Sequence, residues 1–208
     1  MFAPGVGRPL VGGAVALAVV SALGGADLLP RTFALIALIL AGWAVWAFLA
    51  VFFRDPDRAP GEGIVSPADG RIREVGQNAD TLLVSIFMNV YDVHVNRFPI
   101  DAKVERVEEA GKGFRPAYAA GAAHNVRRAY HLTTAVGPVE LTQLTGAFAR
   151  RLVSFVGSGD ERKKGDRLGM IVLGSRVDVL LPADRVYPTV VPGGRVRAGE
   201  TTIARVKP

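Results

Sequence analysis

GMIVLGSRVDVLL, residues 169–181, is the stretch on which the reading of the chain turns. Two apolar runs, Met170 to Leu173 and Val177 to Leu181, flank the small pair Gly174-Ser175, which is followed by Arg176. The pattern predicts a strand, a tight Gly-Ser step and a second strand. A serine placed after a glycine has an unusual option. Its hydroxyl can reach the carbonyl of Gly174, because glycine carries no side chain to obstruct the approach. The same pair also occurs as a β-bulge within one buried strand, and spacing alone leaves both readings open.

Outward from this stretch, residues 64–208 keep one texture. Short runs of alternating apolar and polar residues recur, as in Arg71-Ile72-Arg73 and Val104-Glu105-Arg106-Val107. Turn residues separate them: Asp69-Gly70, Gly76-Gln77-Asn78, Gly137-Pro138 and Gly193-Gly194. This predicts a mainly β fold, a compact antiparallel β-sandwich or barrel-like domain with few short helices. Residues 142–153 fit either a strand or a turn or more of helix. Residues 160–166, DERKKGD, read as a solvated charged loop that a membrane surface could also contact.

Residues 1–53 are different. Their only charged residues are Arg8, Asp27 and Arg31, leaving 18 uncharged positions at 9–26 and 22 at 32–53. About 20 apolar helical residues cross a bilayer core. The second stretch meets that length and carries Trp43, Trp46, Phe48, Phe52 and Phe53 toward one end, where aromatics favour the headgroup level. With Asp27 to Arg31 as a hinge, 1–53 reads as a membrane-associated helical hairpin. A second apolar stretch argues against a cleavable signal peptide. Arg8 precedes the first stretch, and Arg54 and Arg58 follow the second. Both termini, and with them the β-rich part of the chain, are therefore expected on the cytoplasmic side of the cell membrane. Residues 54–63, RDPDRAPGEG, form a Pro/Gly linker, so the expected organisation is 1–53, 54–63 and 64–208.

The 208-residue chain has a formal net charge of +6 and no cysteine. Disulfides, a thiolate nucleophile and cysteine metal sites are thereby excluded. The basic balance suits anionic lipid or small acidic substrates. The soluble part has no basic stripe interleaved with aromatics, so no nucleic-acid partner is expected. No P-loop or dinucleotide fingerprint is present. His124 and His131, seven residues apart, have no carboxylate or third histidine at ligand spacing, and no metal site is expected. His94, in a strand over 93–97, faces away from Val93 and Val95 and shares its face with Asn96. There it can act as a base or be a hydrogen-bonded structural residue. Asp69, in Ser66-Pro-Ala-Asp-Gly70, is either a turn residue or an acid that orients an imidazole. Arg176 is a candidate for a substrate phosphate or carboxylate, or for a structural salt bridge.

Taken together, the stretches IVSPADGRI (64–72), SIFMNVYDVHVNRFPIDAKV (85–104), LTQLTGAFARRLV (141–153) and KKGDRLGMIVLGSRVDVLLP (163–182) resemble the phosphatidylserine decarboxylase proenzymes, in particular their short archaeal-type branch. The resemblance implies self-cleavage at Gly174-Ser175, with Asp69, His94 and Ser175 as the processing set. Residues 1–174 become a β chain and 175–208 an α chain, associated as a heterodimer. Ser175 becomes a covalent pyruvoyl group, the cofactor, which forms a Schiff base with the amine of a phospholipid substrate. Phosphatidylserine then yields phosphatidylethanolamine and CO2. Where some members of the family carry a second histidine, this chain has Tyr91, and the serine is followed by Arg176 rather than threonine. Two other readings of the same residues are a membrane-anchored serine hydrolase and a non-enzymatic lipoyl-like binding module. For the second, PGGRVRAGETTIARV (192–206) resembles a carrier hairpin but has no lysine at its tip.

Overall fold

The computed structural model describes residues 1–25, 33–113, 125–146, 151–172 and 175–208. The chain divides into two compact units, Met1–Pro56 and Asp57–Pro208.

In the first unit, α1 (Gly7–Gly25) and α2 (Phe33–Phe52) run antiparallel. Their outer ends are strapped together where Ala3 N–H donates to the Phe53 carbonyl at 2.9 Å and Asp55 N–H to that of Met1 at 2.7 Å. Trp46 Nε1 donates to the Leu10 carbonyl at 2.8 Å, and Trp43 Nε1 to Ser21 Oγ at 3.2 Å. Both indole donors are thus satisfied within an otherwise apolar pair. Leu17 packs on Gly42, where an added methyl would lie 2.8 Å from it. The helices turn Val15, Leu38, Leu40 and Val45 outward. Leu35–Phe52 is long and apolar enough to cross a membrane. The expected hinge, Asp27 to Arg31, lies outside the described residues.

Among the described residues, the second unit has fourteen strands. They are β1 (Ile64–Val65), β2 (Gly70–Gln77), β3 (Thr81–Met88), β4 (Val95–Arg97), β5 (Ala102–Ala110), β6 (Arg127–Thr134) and β7 (Gly137–Thr145). Then follow β8 (Arg151–Ser154), β9 (Glu161–Arg162), β10 (Arg167–Val172), β11 (Ser175–Pro182), β12 (Val186–Pro188), β13 (Arg195–Val196) and β14 (Thr202–Val206). The main sheet has the order β13-β2-β3-β11-β7-β6-β5-β9, and two three-stranded sheets run β4-β10-β8 and β1-β14-β12. The strand pairings described are antiparallel. The mainly β expectation holds. Of 142–153, residues 142–145 end β7 and 151–153 begin β8, while 147–150 lie outside the described residues. The charged loop contributes the short β9 and closes on Asp101, which accepts from Lys164 N–H at 2.8 Å and Lys163 Nζ at 3.2 Å.

Alternation explains the core. In β3, Leu82, Val84, Ile86 and Met88 face inward, and in β11 so do Val177, Val179 and Leu181. Each such side chain contributes about 1.5–3 kcal/mol on burial. They pack with Leu141 of β7, Ile171 of β10, Phe98 and Tyr130. Two glycines allow close approaches. Gly70 opens β2 at φ +147°, where a Cβ would stand 2.1 Å from the Phe87 carbonyl oxygen. At Gly169 of β10, a Cβ would stand 2.5 Å from the Val153 carbonyl oxygen.

The two apolar runs of 169–181 are therefore not one bulged strand. The first, as far as Val172, belongs to β10 in a three-stranded sheet, and the second lies in β11, inside the eight-stranded sheet. Between Val172 and Ser175 the chain passes from one sheet to the other.

Candidate functional site

Four chain segments converge where β11 begins. In register, Ser175 stands opposite Met88, the last residue of β3, and opposite Thr145, the last residue of β7. After Met88 the chain makes a turn in which Asp92 N–H donates to the Asn89 carbonyl at 3.0 Å, and Asn89 N–H to Asp92 Oδ2 at 2.8 Å. This turn delivers His94, whose carbonyl accepts from Ile171 N–H on β10 at 3.3 Å. The histidine is thus fixed beside the strand that ends just before Leu173 and Gly174. Those two residues, the Ser175 side chain and His124 lie outside what is described.

His94 is fully buried, and its Nδ1 lies 2.8 Å from the Asp92 carbonyl oxygen. A carbonyl only accepts, so Nδ1 carries a proton, and the lone pair of the neutral form would be on Nε2. The expected strand over 93–97 is shorter: β4 begins at Val95, and His94 precedes it. Every residue from 93 to 99 is buried, on both faces of the strand. β4 pairs with β10, and the Ser66-Gly70 turn covers it, Arg97 N–H donating to the Pro67 carbonyl at 2.9 Å.

Asp69 sits in that turn. Its carboxylate accepts from Arg58 Nη1 at 2.5 Å, Arg58 Nη2 at 2.9 Å and Ala198 N–H at 2.8 Å. The Arg58 and Asp69 side chains are only 8% and 12% exposed, so this is a bidentate pair largely shielded from water. Arg58 Nη1 also donates to the Ala198 carbonyl at 2.8 Å. The turn is stitched further to the C-terminal segment: Ser66 N–H donates to the Thr201 carbonyl at 2.8 Å, and Gly199 N–H to that of Ser66 at 2.7 Å.

Residues 45–204 match the family described as phosphatidylserine decarboxylase. A Halobacterium salinarum chain provisionally named archaetidylserine decarboxylase proenzyme is 46% identical over 170 residues, covering 80% of this chain and 85% of its own. A phosphatidylserine decarboxylase proenzyme of Thermobifida fusca is 42% identical over 171 residues, covering 81% and 78%. Another of that name, from Oleidesulfovibrio alaskensis, is 42% identical over 197 residues, covering 84% and 89%. The chain belongs to the phosphatidylserine decarboxylase family. It is accordingly a decarboxylase.

For this decarboxylase, the position of Tyr91 is the exposed tip of the 89–92 turn, where its ring lies 6.0 Å from the Arg195 guanidinium. Arg176 is engaged by Asp178, from Nη2 at 2.6 Å and Nε at 3.0 Å, and Ser85 Oγ donates to the same carboxylate at 2.6 Å.

A buried polar chain under the site escaped the sequence reading. Gln143 Nε2 donates to Asn96 Oδ1 at 2.7 Å, and the Tyr130 hydroxyl lies 3.1 Å from both Gln143 Oε1 and Ser154 Oγ. Burial pushes the Tyr130 hydroxyl pKa up, despite its hydrogen bond to Ser154. The chain links β4, β7, β6 and β8, and so stiffens the strand that follows His94. Its only signal in the sequence is Gln143, a buried amide in the run Leu-Thr-Gln-Leu-Thr. Arg58 was read as a linker residue and a topology charge, and nothing near it in the sequence pointed to Asp69.

Proposed function

We propose that this decarboxylase is made as a proenzyme that cleaves itself between Gly174 and Ser175, and then decarboxylates phosphatidylserine, or a lipid with the same phosphoserine headgroup, to the corresponding phosphoethanolamine lipid and CO2. One observation carries the reading. Residue 175 opens a strand held by neighbours on both sides, whereas the chain up to Val172 belongs to a different sheet. A cut between them frees a new terminus at residue 175 without removing any strand from its ladder.

His94 takes the proton of the Ser175 hydroxyl at Nε2 as that oxygen attacks the Gly174 carbonyl. Its tautomer is supplied by the Asp92 carbonyl. Asp69 supports His94 at one remove, holding the 66–70 turn over β4 and against Ala198. Elimination from the resulting ester releases Gly174 as a carboxylate. Loss of ammonia from residue 175, with water taken up, leaves a pyruvoyl group there. The fit rests on residue 175 staying in register with Met88 and Thr145. The group supplies an electron sink for loss of the substrate carboxylate. Arg176, one residue further on, meets the headgroup by exchanging Asp178 for a phosphate oxygen.

Residues 1–174 and 175–208 remain together as two chains. After the cut, β11 still lies between β3 and β7, β13 on β2, and β14 on β1. Arg205 Nη2 reaches Glu62 at 3.0 Å and adds a side-chain tie. The helical unit holds the enzyme in the membrane where its substrate resides, with the β unit on the cytoplasmic side.

Mass spectrometry of purified, active protein tests this. The expected products are 1–174 and 175–208, the smaller blocked to N-terminal sequencing, with Ser175→Ala intact and inactive. Active protein whose Ser175 is still joined to Gly174 would overturn the proposal.

A further inference from the structure

The register of the main sheet places a row of residues across four strands on one face. Arg195 of β13 stands opposite Arg71 of β2, Arg71 opposite Phe87 of β3, and Phe87 opposite Arg176 of β11. At about 4.8 Å per strand, Arg195 lies about 14 Å from Arg176, which directly follows the reactive position. Arg176 is neutralised by Asp178. Arg71 and Arg195 have no carboxylate partner among the described residues. Arg71 Nη1 donates to the Gly193 carbonyl at 3.0 Å, and Arg195 lies over the Tyr91 ring. Like charges directly opposite one another destabilise a sheet. A fold that places two unneutralised arginines so, at its edge, is suited to an anionic partner.

The same edge is unusually apolar. Among the described residues of the β unit, the exposed large hydrophobics are Val90, Tyr91, Tyr187, Val191 and Val206. Three of these five border the arginine pair. Val90 and Tyr91 form the turn that leaves β3 beside Ser175. Val191, 69% exposed, accepts from Gly194 N–H at 3.1 Å in the loop leading to Arg195. Arginine stacked on tyrosine and flanked by exposed valines combines phosphate donors with groups that favour the headgroup boundary.

We propose that Arg71 and Arg195, with Val90, Tyr91 and Val191, form a docking surface for an anionic phospholipid bilayer, turning the residue-175 end of the sheet toward the lipid. The inference rests on the reading of the substrate as a membrane lipid. Its test separates the two.

The chain has no cysteine, so a single introduced one is labelled uniquely. Full-length Val90→Cys carrying an environment-sensitive fluorophore is reconstituted into vesicles of phosphatidylglycerol and phosphatidylcholine, or of phosphatidylcholine alone. Val206→Cys, exposed at the end of β14, is the control. A blue shift at position 90 in the anionic vesicles only, absent at 206 and reversed by molar salt, is expected. Two arginines near such a surface correspond to about a thirtyfold change in the docking equilibrium. Arg71→Gln/Arg195→Gln should lose the shift by that factor and still cleave to completion. Equal shifts at 90 and 206, a shift indifferent to anionic lipid, or one reproduced by soluble polyglutamate would overturn the proposal. Cleavage and decarboxylation of short-chain dispersed substrate, measured on the same preparations, report on the proposed function independently. If both proceed while position 90 stays in water, only the docking surface falls.

Discussion

β10 and β11 are consecutive, similar in length and similarly rich in valine and isoleucine or leucine, yet they do different work. β10 has β4 and β8 as neighbours and carries the hydrogen bond that fixes the His94 backbone. β11 lies between β3 and β7, in the interior of the largest sheet. On the proposed reading, one strand positions His94, and the other anchors residue 175, on which it acts. The difference teaches that a self-cleaving bond is best placed at a change of sheet. There the described strands on either side of the break keep their neighbours, and residue 175 stays in register with Met88 and Thr145.

The comparison breaks first at His94. If the β10 side supplies the base, His94→Gln leaves the fold intact and slows precursor cleavage by about 10²–10⁴-fold. The fraction of intact chain followed over time by mass spectrometry measures this, and cleavage at the wild-type rate would remove His94 from the mechanism. Anchoring by β11 is sharpened by Leu181→Ala, which removes a side chain only 1% exposed. A loss of about 2–5 kcal/mol is expected. In cleaved protein it should appear as separation of the two chains at lower denaturant, read by size exclusion. Separation at unchanged denaturant would mean that β11 is not the anchor. The smallest effect concerns the loop before β10. Hydrogen bonds from Lys164 N–H and Lys163 hold the Asp101 carboxyl below its ordinary pKa. A lowered folded pKa gives stability that is present above the unfolded value and lost as pH falls through the folded one. Asp101→Asn should therefore cost less than about 1 kcal/mol at neutral pH, and the difference should vanish in acid. Denaturant midpoints across that range measure it, and a pH-independent difference would contradict the assignment.

Much of the fold was legible because alternation states which face of a strand is buried. Ile72, Val104, Val177 and Val179 follow that rule, and Gly70 marks a turn where only glycine fits. The site was legible in part. His94 was legible as a candidate base facing away from Val93 and Val95, but the strand proved buried on both faces, because the 66–70 turn packs over it. Asp69 was legible as a turn acid. Its partners Arg58 and Ala198 were not, being 11 and 129 residues away.

By itself, the sequence determined the apolar helical segments, the strand texture, the Gly-Ser step and the residue types able to do the chemistry. The tertiary structure alone decided that β10 and β11 part into different sheets, that Asp69 is gripped by Arg58, and that Arg71 and Arg195 share a row with Arg176. The reason is physical. Side-chain period records burial along a strand, whereas the hydrogen bonds that choose its neighbours come from backbone groups that are the same at nearly every residue.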